Sequence, residues 1–213
     1  RSGRQGNSFV ASGEVLSFGQ DAPSENNYGI KSDKSDRWLV RGNQQLIKAA
    51  DLPLLGATGE LNVLAALALT ESFVHDQMKA LEAIRKFKGL PHRCELILEN
   101  NNVQWIDDSK GTNVGATVSA ITGLDRSVVL ILGGVHKGGS LDVLVDAVRG
   151  RVSLVIAYGR DKQIFADELK GVAEIIQQSS LMASVEHAYQ KVKAGEAVLF
   201  SPACASFDMF SNY

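Results

Sequence analysis

Hydrophobic positions in the first part of the chain alternate with polar ones over short runs. Clusters of Gly, Asn, Asp and Ser separate these runs, which is typical of antiparallel strands joined by tight turns. The runs cover residues 14–18, 28–31 and 38–41. From Leu61 the hydrophobic residues recur at helical spacing, and a second amphipathic stretch occupies residues 76–87. Gly89 and Pro91 end that stretch, so we predict a domain boundary near residue 89.

Strands and helices alternate along the rest of the chain. The strands are apolar on both faces and most are followed by an amphipathic helix, which predicts a mostly parallel sheet flanked by helices and an α/β fold. The predicted strands cover residues 94–98, 103–106, 128–132, 152–157, 172–176 and 197–200, and the predicted helices cover 113–121, 141–148, 161–169 and 181–192. Three asparagines at residues 100–102 predict a hairpin turn between the first two strands.

Composition narrows the class of protein. The 213 residues are 45% hydrophobic and 22% charged, as in an ordinary globular protein. A net charge of -2 argues against non-specific nucleic-acid binding. No apolar run approaches the roughly 18 residues of a membrane span, and the start of the chain lacks the apolar core of a signal peptide. Cys94 and Cys204 lie too far apart to indicate a disulfide framework or a metal site. We therefore expect a cytoplasmic protein without nucleic-acid or membrane partners.

Three polar loops follow predicted strands, at residues 107–113, 133–139 and 201–206. The carboxyl ends of parallel strands share one edge of a sheet, so these loops are expected to converge. They would bring Thr112, Lys137 and Ser206 to one rim. An ammonium group, two hydroxyls, glycine amides and a helix N-terminus near Ser206 would together form an anion site.

Each of these features has an ordinary structural alternative. The glycine loop matches neither G-x-G-x-x-G nor G-x-x-x-x-G-K-[ST], so it can be a plain turn. Ser206 and Asn62 can be helix N-caps. Asp107 and Asp108 can complement the dipole of the next helix. Arg93, at the predicted domain junction, can bind a phosphate or form an ion pair.

Three motifs then resemble a known family. They read G-L-P-H-R at residues 89–93, D-D-S-K-G-T-N at 107–113 and S-P-A-C-A-S-F-D at 201–208. With the alanine-rich stretch at residues 62–69, they resemble the Mur ligases, and among these the ligases that add D-glutamate to a cell-wall precursor. The resemblance covers nearly the whole chain.

The resemblance implies two partial or complete domains. Residues 1–89 would be the C-terminal part of a central ATP-binding α/β domain, with short antiparallel strands and two helices. Residues 90–213 would be a Rossmann-like domain that receives the amino acid, with its last helix truncated. The family's phosphate loop is absent from the chain, so we expect a fragment that is inactive alone and holds no catalytic residue. Exposed sheet edges in residues 1–89 could make the fragment dimerise, whereas the full-length enzyme would be a monomer.

The resemblance also implies a reaction and a set of ligands. ATP, with Mg²⁺ held mainly by residues upstream, would convert the carboxylate of UDP-N-acetylmuramoyl-L-alanine to an acyl phosphate, which D-glutamate attacks during peptidoglycan synthesis. Asn62 would contact adenine, Arg93 the ATP phosphates and Asp108 the ribose. The residues implied for D-glutamate are Lys110, Thr112, Lys137, Ser206, Phe207 and Tyr213. The chain departs from the family at Thr58-Gly59, where a His-Asn pair is usual.

Two other functions remain open. One is a related ATP-dependent amide ligase with another amino acid, such as a different muramyl ligase or a folate-polyglutamating enzyme. The other is a stand-alone nucleotide-binding module, which the missing G-x-G-x-x-G fingerprint disfavours.

Overall fold

The structure is a computed structural model that describes residues 7–11, 14–33 and 36–209, with the backbone alone at 7–11 and at 14. The chain divides into two compact units, the first ending at Gly89 and the second beginning at Leu90. Each unit has its own sheet and its own hydrophobic core.

The first unit contains a five-stranded sheet. Its strands are β1 (Asn7–Ala11), β2 (Glu14–Phe18), β3 (Tyr28–Asp33), β4 (Asp36–Arg41) and β5 (Gln44–Lys48), in that spatial order. All neighbours pair antiparallel except β2 and β3, which share one parallel pair, Phe18 with Tyr28. The sequence pattern missed β1 and β5. In β5 only two adjacent residues are apolar and buried, so it lacks the alternation that marks a strand.

Two helices complete the first unit, α1 (Gly56–Thr70) and α2 (Gln77–Lys86). Helix α1 begins at Gly56 rather than at Leu61, because its first turn, G-A-T-G, contains no large hydrophobic residue that would reveal it. Buried Glu60 pairs with Arg37 at 2.7 Å. Asn62 is therefore an exposed residue inside the helix, and its interpretation as an N-cap is wrong.

The core of the first unit lies between α1 and the sheet. The helix contributes Val63, Leu64, Leu67 and Ala68, which share one face because they recur at helical spacing. They pack with strand residues Phe18, Tyr28, Ile30, Leu39, Leu46 and Ile47.

The second unit contains a six-stranded sheet flanked by helices. Its strands are β6 (Glu95–Asn100), β7 (Val103–Asp107), β8 (Val128–Gly133), β9 (Val152–Tyr158), β10 (Glu174–Gln177) and β11 (Ala197–Phe200). Its helices are α3 (Val114–Gly123), α4 (Asp142–Val148), α5 (Lys162–Glu168) and α6 (Leu181–Lys191). The spatial order is β10-β9-β8-β11-β7-β6, and only β6 is antiparallel. The α/β fold class and the mostly parallel sheet are confirmed.

Local sequence explains the main features of this sheet. All six residues of β8 are buried, as expected for a central strand covered on both faces. On one of these faces Val129 and Ile131 pack with Ala188 of α6. The β6–β7 hairpin turns at Asn101 and Asn102, whose φ angles of 51° and 59° lie in the left-handed region that asparagine tolerates. The predicted asparagine turn is confirmed.

The strand order places the candidate site. The last strand, β11, lies between β8 and β7. Strands β8, β9 and β10 extend to one side of it, and β7 and β6 to the other. Open α/β sheets bind their ligands at the carboxyl ends of the strands, where the strand order reverses. The three polar loops follow β7, β8 and β11 at this edge.

Candidate functional site

Backbone hydrogen bonds join the three polar loops at the carboxyl edge of the second sheet. The N–H of Ala203 donates to the carbonyl of Gly111 at 2.8 Å, and the N–H of Gly133 donates to the carbonyl of Pro202 at 3.0 Å. The loop after β11 therefore lies between the other two, as the strand order requires. The convergence predicted from the strand pattern is confirmed.

Lys137 reaches across this rim. Its Nζ donates to the carbonyl of Thr112 at 3.0 Å. Two residues earlier, Val135 exchanges backbone hydrogen bonds with Ala205, at 2.7 and 3.3 Å, which places Ser206 beside the Lys137 loop. The structure thus brings Thr112, Lys137 and Ser206 to one edge. Their roles as ligands of an acidic substrate remain a prediction.

Other predicted residues lie around the same rim. Lys110 is exposed and its ammonium has no partner within the described ranges. Phe207 is 76% exposed. Residues 207–209 form a turn, closed by the N–H of Met209 on the carbonyl of Ser206 at 3.1 Å, and the continuation of the helix expected near Ser206 lies outside the described residues. Tyr213 lies outside the described residues.

Asp108 is buried beneath the rim, with 7% of its surface exposed. Its Oδ2 accepts from the hydroxyl of Ser201 at 2.7 Å, and its Oδ1 accepts from the N–H of Cys94 at 3.2 Å. The Ser201 and Thr117 hydroxyl oxygens, both fully buried, lie 2.8 Å apart. Since an ionised Asp108 can only accept, Ser201 donates to it, which leaves Thr117 as the donor to Ser201. Sequence reasoning missed Ser201 and Thr117, because a hydroxyl in a strand end or helix carries no local signal of its distant partner.

This network gives Asp108 a structural role. Burial raises the pKa of Asp108, and the negative charge of Asp107 adds to this effect, whereas hydrogen bonds from Ser201 and Cys94 oppose it. Both carboxylate oxygens hold neighbouring segments in place. The proposed contact with ribose needs one of the remaining lone pairs, and it stays a prediction.

The turn before β6 holds a second network, which sequence reasoning also missed. His92 Nδ1 lies 2.7 Å from Asp107 Oδ2, and Asp107 Oδ1 accepts from the N–H of Ser109 at 2.8 Å. Burial alone would raise the pKa of Asp107, but the hydrogen bonds from His92 and Ser109 outweigh it and lower the pKa. Next to His92, Arg93 is exposed, and no ion-pair partner is found for it in the described part of the chain.

The glycine loop is explained by close backbone packing. Gly134 and Gly159 have φ angles of 127° and 78°, and a Cβ on Gly159 would lie 2.7 Å from the nitrogen of Gly134. Two carboxylates hold the adjoining backbone: Asp161 accepts from the N–H of His136, and Asp208 from the N–H of Arg160, both at 2.8 Å. These glycines allow two loops to touch, which supports the plain-turn interpretation over a phosphate loop.

One group of metal-ligating side chains occurs among the described residues, formed by His92, Glu95 and Asp107. Its donor atoms are already used internally, because Glu95 accepts from the His92 N–H at 2.8 Å and Asp107 pairs with the His92 ring. Mg²⁺ prefers octahedral oxygen ligands and keeps several waters. The group does not fit Mg²⁺, and we assign no step to a metal here.

Comparison with known proteins shows which family the chain resembles. The family model described as Mur ligase, glutamate ligase domain, matches residues 92–204. UDP-N-acetylmuramoylalanine–D-glutamate ligase of Methylobacillus flagellatus is 44% identical over 200 residues, which cover 93% of this chain and 44% of that protein. The chain thus spans about half the length of the curated relatives it matches.

Solved structures share the fold. UDP-N-acetylmuramate-alanine ligase of Thermotoga maritima superposes with a TM-score of 0.60 at 20% identity, covering 84% of this chain and 43% of that one. The MurF ligase of Thermotoga maritima, solved in complex with ADP, gives a TM-score of 0.56 at 15% identity, covering 87% and 44%.

The α/β fold with its three-loop rim and the match to the family model lead to one conclusion: the chain belongs to the Mur ligase family, whose glutamate ligase domain it contains. The family predicted from the three motifs is confirmed. None of the described helices is both long and apolar enough to cross a membrane.

Proposed function

We propose that this chain is part of an ATP-dependent ligase that joins D-glutamate to UDP-N-acetylmuramoyl-L-alanine during peptidoglycan synthesis in the cytoplasm. Family membership and the similarity to a D-glutamate ligase over 93% of the chain support this function. The observation that carries it is the rim on which Lys137 meets the Thr112 and Ser206 loops, since an exposed ammonium beside two hydroxyl-bearing loops suits a dicarboxylic amino acid.

In the proposed reaction, phosphoryl transfer from ATP to the precursor carboxylate gives an acyl phosphate and ADP. The amine of D-glutamate attacks the acyl carbon, and the tetrahedral intermediate expels phosphate to form the amide. The residues of this chain bind and orient the amino acid. Lys137 leaves the carbonyl of Thr112 to pair with the side-chain carboxylate of D-glutamate, and the hydroxyls of Thr112 and Ser206 donate to it. Lys110, Phe207 and Tyr213 complete the pocket.

Three residues carry the proposed nucleotide contacts. Asn62 would contact adenine, Arg93 the phosphates and Asp108 the ribose. In this proposal residues 1–89 are the end of a central ATP-binding domain and residues 90–213 are the amino-acid-binding domain. The ADP bound to a MurF ligase of the same fold supports nucleotide use.

The test uses a full-length ligase that carries this chain. Lys137→Ala should raise the KM for D-glutamate by about 10- to 100-fold, because a charge-assisted hydrogen bond is lost, while the KM for ATP changes little. Lys193→Ala is the matched control, since Lys193 is also exposed and its ammonium has no partner among the described residues. A Lys137→Ala enzyme with an unchanged KM for D-glutamate would refute the role of this rim.

An acceptor panel separates the proposal from its relatives. With UDP-N-acetylmuramoyl-L-alanine as the carboxylate substrate, D-glutamate, L-glutamate and L-alanine are compared as amine substrates at equal concentration by ATP-dependent phosphate release. A folyl substrate with L-glutamate is tested separately as the alternative carboxylate substrate. The proposal requires D-glutamate to be preferred. Preference for another substrate would indicate that the protein is a different ligase of the same fold.

A further inference from the structure

The turn over residues 91–95 has an unusual backbone. His92 and Cys94 have φ angles of 65° and 46°, in the left-handed region that residues with a side chain rarely adopt. Such conformations persist only where surrounding contacts hold them. The contacts around this turn are therefore informative.

Four hydrogen bonds hold the turn. The His92 ring contacts Asp107 Oδ2 through Nδ1 at 2.7 Å, and the His92 N–H donates to Glu95 Oε2 at 2.8 Å. The His92 carbonyl accepts from the N–H of Lys110 at 3.2 Å. The Cys94 N–H donates to Asp108 at 3.2 Å. The carboxylates of Asp107 and Asp108, at the end of β7, thus both accept hydrogen bonds from the turn.

The carboxylate of Asp107 determines which ring nitrogen of His92 carries the shared hydrogen. Asp107 is only 22% exposed on its side chain and is an acceptor when ionised. The shared hydrogen therefore sits on Nδ1, and in the neutral ring the lone pair is on Nε2. The contact is a charge-assisted hydrogen bond, which is stronger and more directional than a neutral one.

Arg93 lies between His92 and Cys94, which these hydrogen bonds hold in place. Its neighbours on either side are both held, whereas its own side chain is exposed and has no hydrogen-bond or ion-pair partner within the described ranges. A fixed backbone with a free guanidinium presents that group to a ligand with little loss of backbone entropy on binding.

We propose that the His92–Asp107 pair is a positioning element that holds Arg93 ready for a nucleotide phosphate. This inference rests on the proposed function, because Arg93 needs a phosphate ligand. The competing use of the same atoms is a divalent cation, since the donor atoms of His92, Glu95 and Asp107 lie within 4.8 Å of one another. The internal hydrogen bonds favour the positioning role.

Two substitutions at His92 distinguish the effect of the hydrogen bond to Asp107 from the effect of the left-handed backbone conformation. His92→Asn keeps a left-handed-tolerant residue and an N–H at the δ position that can donate to Asp107. His92→Gly tolerates the same backbone and lacks the donor. In a full-length ligase, His92→Gly should raise the KM for ATP about 10-fold, with kcat and the KM for D-glutamate within about 2-fold of the parent. His92→Asn should stay near the parent.

A double-mutant cycle links the effect to Arg93. In an Arg93→Ala background, His92→Gly should add no further increase in the KM for ATP, because the group it positions is gone. Equal KM values for the Gly and Asn variants, or an additive effect with Arg93→Ala, would overturn the proposal.

Two measurements on the 213-residue chain itself do not depend on ligase activity. Nitrogen NMR of the imidazole should show the Nδ1–H tautomer for His92 and lose that signature in Asp107→Ala. The Nε2–H tautomer would rule out the positioning pair even if the protein proves to be the proposed ligase. Calorimetric titration with Zn²⁺ or Mn²⁺ should give the same result for the parent and for His92→Gly. Metal binding by the parent that is lost in His92→Gly would identify a cation site instead.

Discussion

Ser201 joins three segments of the candidate site through one hydroxyl. It donates to Asp108 on the loop after β7 and contacts Thr117 of α3, while its own backbone directly follows β11. A buried carboxylate that loses its donor bears a desolvation cost that no water relieves. The residue is therefore more consequential for stability than its small side chain indicates.

Ser201→Ala should lower the free energy of unfolding by about 1–3 kcal/mol, because Asp108 Oδ2 is left buried and unsatisfied. Urea unfolding of the 213-residue chain measures this loss. Ser179→Ala is the matched control, since Ser179 is exposed and its hydroxyl has no partner among the described residues. Equal stability of the two variants would show that the network contributes little.

The lowered pKa of Asp107 predicts how its contribution depends on pH. The ordinary value is 3.8, and in the folded chain the pKa is lower. Its ionised form therefore stabilises the fold fully above about pH 3.8, and this contribution is lost as the pH falls through the lower folded pKa. The difference in unfolding free energy between the parent and Asp107→Asn should shrink as the pH falls from about 4 towards 2. A difference that grows on acidification would contradict this assignment.

At the scale of elements, α3 begins where the candidate site ends. Asn113 is its N-cap, and Oδ1 accepts from the N–H of Ala116 at 2.9 Å. Thr112 directly precedes this cap, so the start of the helix also sets the position of the predicted substrate contact.

Asn113→Ala should lower the free energy of unfolding by about 1 kcal/mol, since the first turn loses its cap. Asn113→Ser keeps a capping oxygen and should stay within a few tenths of a kcal/mol of the parent. Thermal unfolding of both variants, with amide exchange of residues 114–117, gives the comparison. Equal loss in both variants would mean that the asparagine acts through something other than its cap.

Elements also show where hydrophobic spacing fails. The pattern located β7, β8, β9 and β11 within about a residue, because each is mainly apolar and is followed by a polar or glycine-containing loop, with Gln104 and Ser153 as internal polar residues. It placed the start of α1 at Leu61 because the first turn, from Gly56, contains no large hydrophobic residue and is followed by buried Glu60, which pairs with distant Arg37. An ion pair between distant residues has no periodic signature.

At the scale of the whole molecule, the chain has two units with separate cores. All six strands of the second sheet lie within residues 95–200, and its central strand is buried on both faces. Nothing in that sheet requires a strand from residues 1–89. The second unit thus has what an independent folding unit needs.

A polypeptide of residues 90–213 should fold alone and unfold cooperatively on heating. Circular dichroism and calorimetry test this expectation. Ile131→Asp is the negative control, because it buries a charge in the centre of β8, where Ile131 is 1% exposed. A non-cooperative transition in the parent polypeptide would show that the first unit is needed for folding.

By itself the sequence determined the fold class, the elements of the second sheet, the asparagine hairpin and the family, because these depend on local periodicity, turn chemistry and short motifs. It also identified the three loops that meet at one edge of the sheet, since the carboxyl ends of parallel strands share that edge.

Only the tertiary structure decided which side chains these loops join. The Asp108–Ser201–Thr117 network and the His92–Asp107 pair bring together residues up to 93 positions apart. Partners in a hydrogen bond are selected by three-dimensional proximity, burial and the lack of competing water, and none of these has a fixed spacing along the chain.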